Sequence, residues 1–250
     1  MNYDGLTKTY WDEQIARIEK LRQKIASRPK VGNGNTVPDD DDLAIGQGRR
    51  LSMAVMFIDI CGFSSRELET LDEQDLMLRV MTLFFSEMIR IAEEYQGNVE
   101  KHTGDGLMIY FNDDEGNPPE SGTKRAVGCA LTMMAANEHI ISPIVKAAQA
   151  KEITFRASID HGTVTVARLG APKRFKSAVA IGATANFASK MLKHANGGDV
   201  ILGEFAKYQL PTDWQTNWTE LLPIDTGWVL RSNNSPYKLF KYTGRWSRLI

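Results

Sequence analysis

From Ser52 onward the apolar positions follow two rhythms, one suited to strands and one to helices. The run "MAVMFIDI" (53–60) is apolar without a break until Asp59 and predicts a strand buried on both faces. Over 73–95, Leu76, Val80, Leu83, Phe84, Met88 and Ile91 recur at three- and four-residue steps, which predicts a helix with one core-facing stripe, ended by Gly97. In "NVEKHTGDGLMIYF" (98–111), β-type runs on either side of Gly104-Asp105-Gly106 predict a hairpin. A polar loop through Pro118 and Pro119 leads into a helix from about Thr123 to Asn137, resuming after Pro143. "ITFRASID" and "TVTVARLG" (153–170) flank His161-Gly162 and read as a second hairpin. A short strand near 177–181, a helix over 183–195, a strand at "DVILG" (199–203) and a last strand at "YKLFKY" (237–242) complete the pattern. The order β-α-β-β-α-β plus extra strands predicts an α+β fold, a ferredoxin-like core with a C-terminal extension.

The N-terminal fifth has a different texture. Residues 8–27 carry an apolar stripe of Trp11, Ile15, Ile18, Leu21 and Ile25, with charged residues on the other faces. A lone helix of this length is marginal in water, so the stripe needs a partner, from the main domain or from a second chain. The segment 28–50, with Pro29, Gly32, Gly34, Pro38 and the run Asp39–Asp42, reads as a linker. Its acidic run lacks the spaced alternation of an ion-binding loop. The expected organisation is an arm (1–27), a linker (28–50) and one main domain (51–250).

Composition narrows the function classes. With 250 residues and 42 % hydrophobic positions the chain can bury a sizeable core. A net charge of −1 supplies no bulk field for nucleic acid or an anionic membrane, although a nucleotide needs only a few local cations. Cys61 and Cys129 have no metal-type spacing, which argues against a disulfide or zinc framework. No window approaches eighteen apolar residues and the N-terminus lacks a signal pattern, so a cytoplasmic protein is expected.

Chemistry concentrates at two carboxylates. Asp59 ends a buried strand and is followed by Ile60-Cys61-Gly62-Phe63-Ser64-Ser65, a turn whose backbone N–H groups suit phosphates. Alone, this also fits a phosphoacceptor or a structural aspartate. Asp105, in the tight turn of the next hairpin, is expected beside it, and two carboxylates at adjacent strand ends can hold a pair of magnesium ions. An isolated Gly-Asp-Gly would be plain turn chemistry.

Together these segments resemble the class III adenylate and guanylate cyclase family, over about Ala54 to Gly203. "FIDICGFS" and "KHTGDGLMIYF" look like that family's two metal motifs, "IDHGTVTVARLG" like its middle hairpin, and "IGATANFASKM" like the helix bearing its transition-state residues. The resemblance implies that Asp59 and Asp105, helped by the Ile60 carbonyl, bind two divalent cations, Mn²⁺ or Mg²⁺. It implies that Gly62, Phe63 and Ser64 approach the substrate, that Asn186 orients the ribose and that Lys190 contacts the α-phosphate. Where the family normally has arginine, this chain has Lys190, which keeps the charge and loses the planar fork. It also implies a head-to-tail homodimer with composite active sites.

Base recognition departs from the family. Lys101 matches the lysine of its adenylate cyclases, but the position of their adenine-reading aspartate holds Val179, which accepts no hydrogen bond. The guanine pattern would place glutamate where Lys101 stands. Neither purine code is complete, and the chain, a short helical arm before one domain, is similar to the bacterial pyrimidine cyclases of Pycsar anti-phage systems. That likeness implies a cyclic UMP or cyclic CMP product read by a separate effector protein, with UTP favoured because uracil offers carbonyl acceptors to Lys101. An adenylate cyclase, or a degenerate cyclase-like regulator that binds nucleotide, are the competing readings. Arg66, Lys173, Arg174, Lys176, Arg231 and Lys238 are candidate triphosphate contacts, and His102 is expected to face away from the ligand side.

Overall fold

The computed structural model describes residues 8–27, 31–34, 36–38, 43–66, 69–114, 120–171, 175–230 and 232–246. Its centre is β2 (Gly48–Ile60), an antiparallel neighbour of β4 (Gly106–Asn112) on one side and β5 (Phe155–Ala171) on the other. β3 (Asn98–His102) pairs outside β4. β7 (Val200–Gly203) runs parallel to β5 and pairs with β9 (Leu239–Tyr242), which pairs with β8 (Thr219–Leu221). The sheet order is thus β3-β4-β2-β5-β7-β9-β8, with β1 (Gly32–Asn33) beside β2 and β6 (Phe175–Ile181) beside β5. This is the expected α+β architecture.

The unbroken apolar run of β2 has a direct cause: both of its faces are covered. Ala54, Met56, Ile58 and Ile60 pack under α2 (Leu71–Glu94) and α3 (Gly122–Ala136), while Met53, Val55 and Phe57 pack with α5 (Ala183–Met191). By the two-residue period of a strand, Asp59 shares the α5 face with Val55 and Phe57.

α2 starts on a capping box. The Thr70 hydroxyl accepts from the Glu73 N–H (3.2 Å) and the Glu73 carboxylate accepts from the Thr70 N–H (2.9 Å). Of its predicted stripe, Val80, Phe84, Met88 and Ile91 are buried, whereas Leu76 and Leu83 lie at the rim and stay 37 % exposed. Its stop differs from expectation. Gln96, not Gly97, takes the left-handed backbone (φ 58°), and Gly97 is needed for space, since a Cβ there would lie 2.8 Å from the Phe111 ring. α3 continues through a π-helical turn (Asn137–Ile141) into α4 (Ser142–Ala147).

The hairpin expected at His161-Gly162 is not formed. β5 runs straight through those residues, holding register with β2 from Gly48↔Ala167 to Ile60↔Phe155, and continues to Ala171, which pairs antiparallel with Phe175 of β6. A long paired neighbour outweighs a local turn signal. The helix expected over 183–195 ends as α5 at Met191, followed by a 3₁₀ turn, Leu192–His194. The last strand begins at Leu239 rather than at Tyr237.

In the segment read as a linker, Gly32 and Asn33 pair with Arg49 and Arg50, and the buried Leu43 gives its carbonyl to Arg168 Nη1 (2.7 Å). The acidic run Asp39–Asp42 lies outside the described residues. α1 (Lys8–Ala26) is helical as expected, but its stripe is open: Trp11, Ile15, Ile18, Leu21 and Ile25 are each about half exposed. Among the described residues no helix is long and apolar enough to cross a membrane.

Candidate active site

The sheet sets the backbones of the two predicted aspartates side by side. Asp59 stands in register with Gly106, the residue after Asp105, and the Ile60 N–H donates to the Asp105 carbonyl (2.8 Å). The turn between β3 and β4 depends on glycine twice. Gly104 has φ 96°, and a Cβ on Gly106 would fall 2.2 Å from the Ile58 carbonyl oxygen. Beyond Asp59, Gly62 takes a left-handed backbone (φ 64°) and starts a 3₁₀ turn over Phe63–Ser65, with the Ser65 hydroxyl donating to the Gly62 carbonyl (2.8 Å). Phe63 packs partly into the core and Ser64 is exposed.

Arg156, which is not among the residues expected from the sequence, occupies one side of this site. It stands across from Asp59 in β5 and donates from both Nε (2.9 Å) and Nη2 (2.8 Å) to Asp59 Oδ2. Its Nη1 reaches the Ala195 carbonyl (3.2 Å). Its mark in the sequence is a single charged residue inside the strand-like run "ITFRASI".

The donor set fits divalent cations. Asp59 Oδ1 and the Asp105 carboxylate accept no hydrogen bond among the described residues, and both are hard oxygen ligands. No group of three or more His, Cys, Asp or Glu side chains placed to hold a metal ion occurs among the described residues, and backbone carbonyl, water and substrate oxygens are hard ligands of the kind that complete such a shell. Magnesium commonly takes such a mixed shell.

Lys101 lies on the same face of the sheet. A bulge in β3 between Val99 and Lys101 sets Lys101 against Met108, whose side chain belongs to the α5-side core. Its ammonium is 3.2 Å from the carboxylate of Glu100, whose side chain is only 3 % exposed. Burial, first, and then the adjacent Glu100 carboxylate push the Tyr110 phenol well above its usual range. His102 faces the other way, its ring 4.1 Å from that of Phe85. Val179 lies opposite Ala167 in the β5–β6 pair, half-buried.

α5 is held by small residues. Thr184, Ala185, Ala188 and Met191 face inward, and the Ala188 carbonyl accepts from the buried Ser158 hydroxyl (2.6 Å). Gly162 makes room for the helix, because a Cβ there would lie 2.6 Å from Thr184 Oγ1. At 100° per residue, Asn186 and Lys190 sit within about 40° of each other and opposite Ala188. Both are exposed and point away from the sheet face that carries Asp59.

Of the candidate phosphate contacts, Arg66 is engaged elsewhere. Its guanidinium donates to the carbonyls of Lys151 (3.0 Å) and Glu152 (2.8 Å). Lys238 is exposed at the start of β9, its N–H 3.4 Å from a Glu204 carboxylate oxygen. Lys173, Arg174 and Arg231, and the side chain of Lys176, lie outside the described residues. A cavity of about 350 Å³ beside the start of α2, lined by Ser65, Arg66, Met77 and Lys151 among others, includes neither carboxylate.

Residues 47–222, more than half of the chain, match the family model described as the adenylate and guanylate cyclase catalytic domain. No curated protein matches the chain in sequence. Among solved structures, the guanylyl cyclase Cya2 is 19 % identical, with 80 % of this chain and 95 % of that chain covered and a TM-score of 0.65. The adenylyl cyclase CyaB from P. aeruginosa is 23 % identical over 81 % of this chain and 98 % of its own, with a TM-score of 0.62. The guanylate cyclase domain of RhGC from Catenaria anguillulae, in complex with GTP, is 20 % identical over 78 % and 98 %, with a TM-score of 0.60. At these identities the structures establish the shared fold.

Proposed function

The chain belongs to the adenylate and guanylate cyclase catalytic domain family, and from that premise we propose that it cyclises a pyrimidine nucleoside triphosphate, UTP in preference to CTP, releasing pyrophosphate. The observation that carries the catalytic reading is the juxtaposition of Asp59 and Asp105 at adjacent strand ends. Class III cyclases use divalent metal ions, and here Asp59, Asp105 and the Ile60 carbonyl would hold them. Cations held by these residues would supply Lewis acidity for the ribose 3′-hydroxyl and would neutralise triphosphate charge. Asn186 orients the ribose and Lys190 places a positive charge at the α-phosphate, where the 3′-oxygen attacks and pyrophosphate departs.

The outward aim of Asn186 and Lys190 supports a site shared between two chains, with the carboxylates of one subunit facing α5 of the other. Base choice rests on Val179 and Lys101. Val179 leaves the adenine amino group without an acceptor. Lys101 has three donors, of which Glu100 engages part, and the remainder suit a carbonyl such as those of uracil. The cyclic nucleotide would act as a second messenger for a separate effector, in antiviral signalling of the kind the sequence resembles.

Incubating the protein with Mn²⁺ and equimolar ATP, GTP, CTP and UTP, with mass-spectrometric detection, tests the reading. Cyclic UMP is expected to predominate. Predominant cyclic AMP overturns the pyrimidine assignment and leaves the cyclase standing. Tight nucleotide binding without any cyclic product favours a regulator, a reading that the lysine at position 190 keeps in play.

A further inference from the structure

Asp59 is engaged by an arginine of its own chain. Two N–H groups of Arg156 converge on Oδ2, at 2.9 and 2.8 Å, and a third anchors the guanidinium to the Ala195 carbonyl at 3.2 Å. The side chains are 28 % and 19 % exposed, so water screens this pair only in part. Oδ1 remains open.

We propose that Arg156 is a resident counter-ion that keeps Asp59 from loading a divalent cation until nucleotide arrives, so that metal and triphosphate enter the site together. The inference rests on the cyclase reading of Asp59 and Asp105. Two carboxylates alone present two negative charges to a dication, and the guanidinium cancels one of them. Its repulsion of a dication a few ångströms away is strong at any protein-like dielectric. A triphosphate brings the negative charge that offsets Arg156, and metal affinity then rises. By thermodynamic reciprocity the metal raises nucleotide affinity by the same factor.

A purely structural pin between β2 and β5 makes the opposite prediction. Without the pin, Asp59 would be less well placed and would bind metal no better, or worse. The sign of the change therefore separates a counter-ion from a strut.

The test is Mn²⁺ binding to the full chain, followed by the paramagnetic resonance signal of free Mn²⁺. It is run without nucleotide and with a 3′-deoxynucleoside triphosphate that cannot cyclise. Arg156→Met and Arg156→Gln are expected to bind Mn²⁺ at least about tenfold more tightly than wild type in the absence of nucleotide. The gain on adding nucleotide should shrink in both. Arg156→Lys, which keeps the charge and loses the fork, should stay within about threefold of wild type. Unchanged or weaker nucleotide-free binding in the neutral variants overturns the proposal. Should Arg156→Met fail to fold, Arg156→Gln carries the test, since it can still donate a neutral hydrogen bond to Asp59. Asp59→Asn and Asp105→Asn separate the two levels. If nucleotide-dependent Mn²⁺ binding survives both, the carboxylate site itself is wrong. If both abolish it while the neutral Arg156 variants bind no tighter, only the counter-ion role fails.

Discussion

Aspartates in this chain have opposite properties because their surroundings differ. Burial acts to raise the Asp113 carboxyl, but hydrogen bonds from His161, Ser52 and the Gly122 N–H outweigh it and bring the pKa to about 2. Since the folded value is below the unfolded one, the gain is complete at neutral pH and disappears as pH falls from about 4 through about 2. Asp113→Asn should cost about 1–2 kcal/mol at pH 7, and the gap to wild type should close towards pH 2, as measured by urea denaturation. Asp160 shows the reverse. Burial pushes it up to about 7 despite the 2.6 Å hydrogen bond from the Tyr237 hydroxyl. The folded state then keeps a proton that the unfolded chain releases above about pH 4, so stability falls as pH rises from about 4 to about 7. Asp160→Asn should remove that slope and be at least as stable as wild type at pH 8, a comparison made by denaturation at pH 5 and pH 8. At the site, Asp59→Asn should abolish turnover with an unchanged circular dichroism spectrum. Asparagine still accepts from Arg156, so loss of ligation is tested without stripping the arginine of its partner.

At the scale of elements, glycines decide where helices and turns sit against the sheet. Gly106 lets the β3–β4 turn close on Ile58, and Gly106→Ala should reduce both stability and Mn²⁺-dependent turnover, because its Cβ would stand 2.2 Å from a carbonyl oxygen. The space beside Gly162 is taken by α5. Gly162→Ala should lift α5 through Thr184 and lower kcat while nucleotide-dependent Mn²⁺ binding at Asp59 persists. Adding Thr184→Ala removes the Oγ1 that lies 2.6 Å from the new Cβ and should restore part of the rate. Failure of the double variant to recover any activity would argue that Gly162 is needed for strand conformation rather than for helix docking.

For the whole molecule, the decisive fact is that the two halves of the proposed chemistry face different ways. The carboxylates sit on the sheet, while Asn186 and Lys190 project outward from the far side of α5. In a C₂ homodimer with shared sites, Asp59→Asn and the double variant Asn186→Ala/Lys190→Ala should each be inactive alone. Co-expressed, they place all damage in one site of each mixed dimer and leave the other site intact. Random pairing makes half the dimers mixed, so about a quarter of wild-type activity should return. Inactive mixed dimers, verified by differential tags, would rule out the shared site.

Much of this was legible in the residues because it is local. The double-sided burial of β2 is written in "MAVMFIDI", the β3–β4 hairpin in Gly104-Asp105-Gly106, and α2 in its three- and four-residue apolar steps. The pairing of Asp59 with the Asp105 turn followed from strand adjacency alone. Other features are set by contacts far apart in sequence. His161-Gly162 looks like a turn, yet pairing along β2 holds β5 straight, and the glycine is required by Thr184. Gln96 takes the left-handed position because Gly97 is reserved for packing against Phe111. Arg156 gains its meaning only when register sets it opposite Asp59, 97 residues earlier in the chain. Local periodicity fixes which residues can form a strand or a helix. Which residues meet across the sheet, and which charges neutralise one another there, is decided by register and by packing between elements.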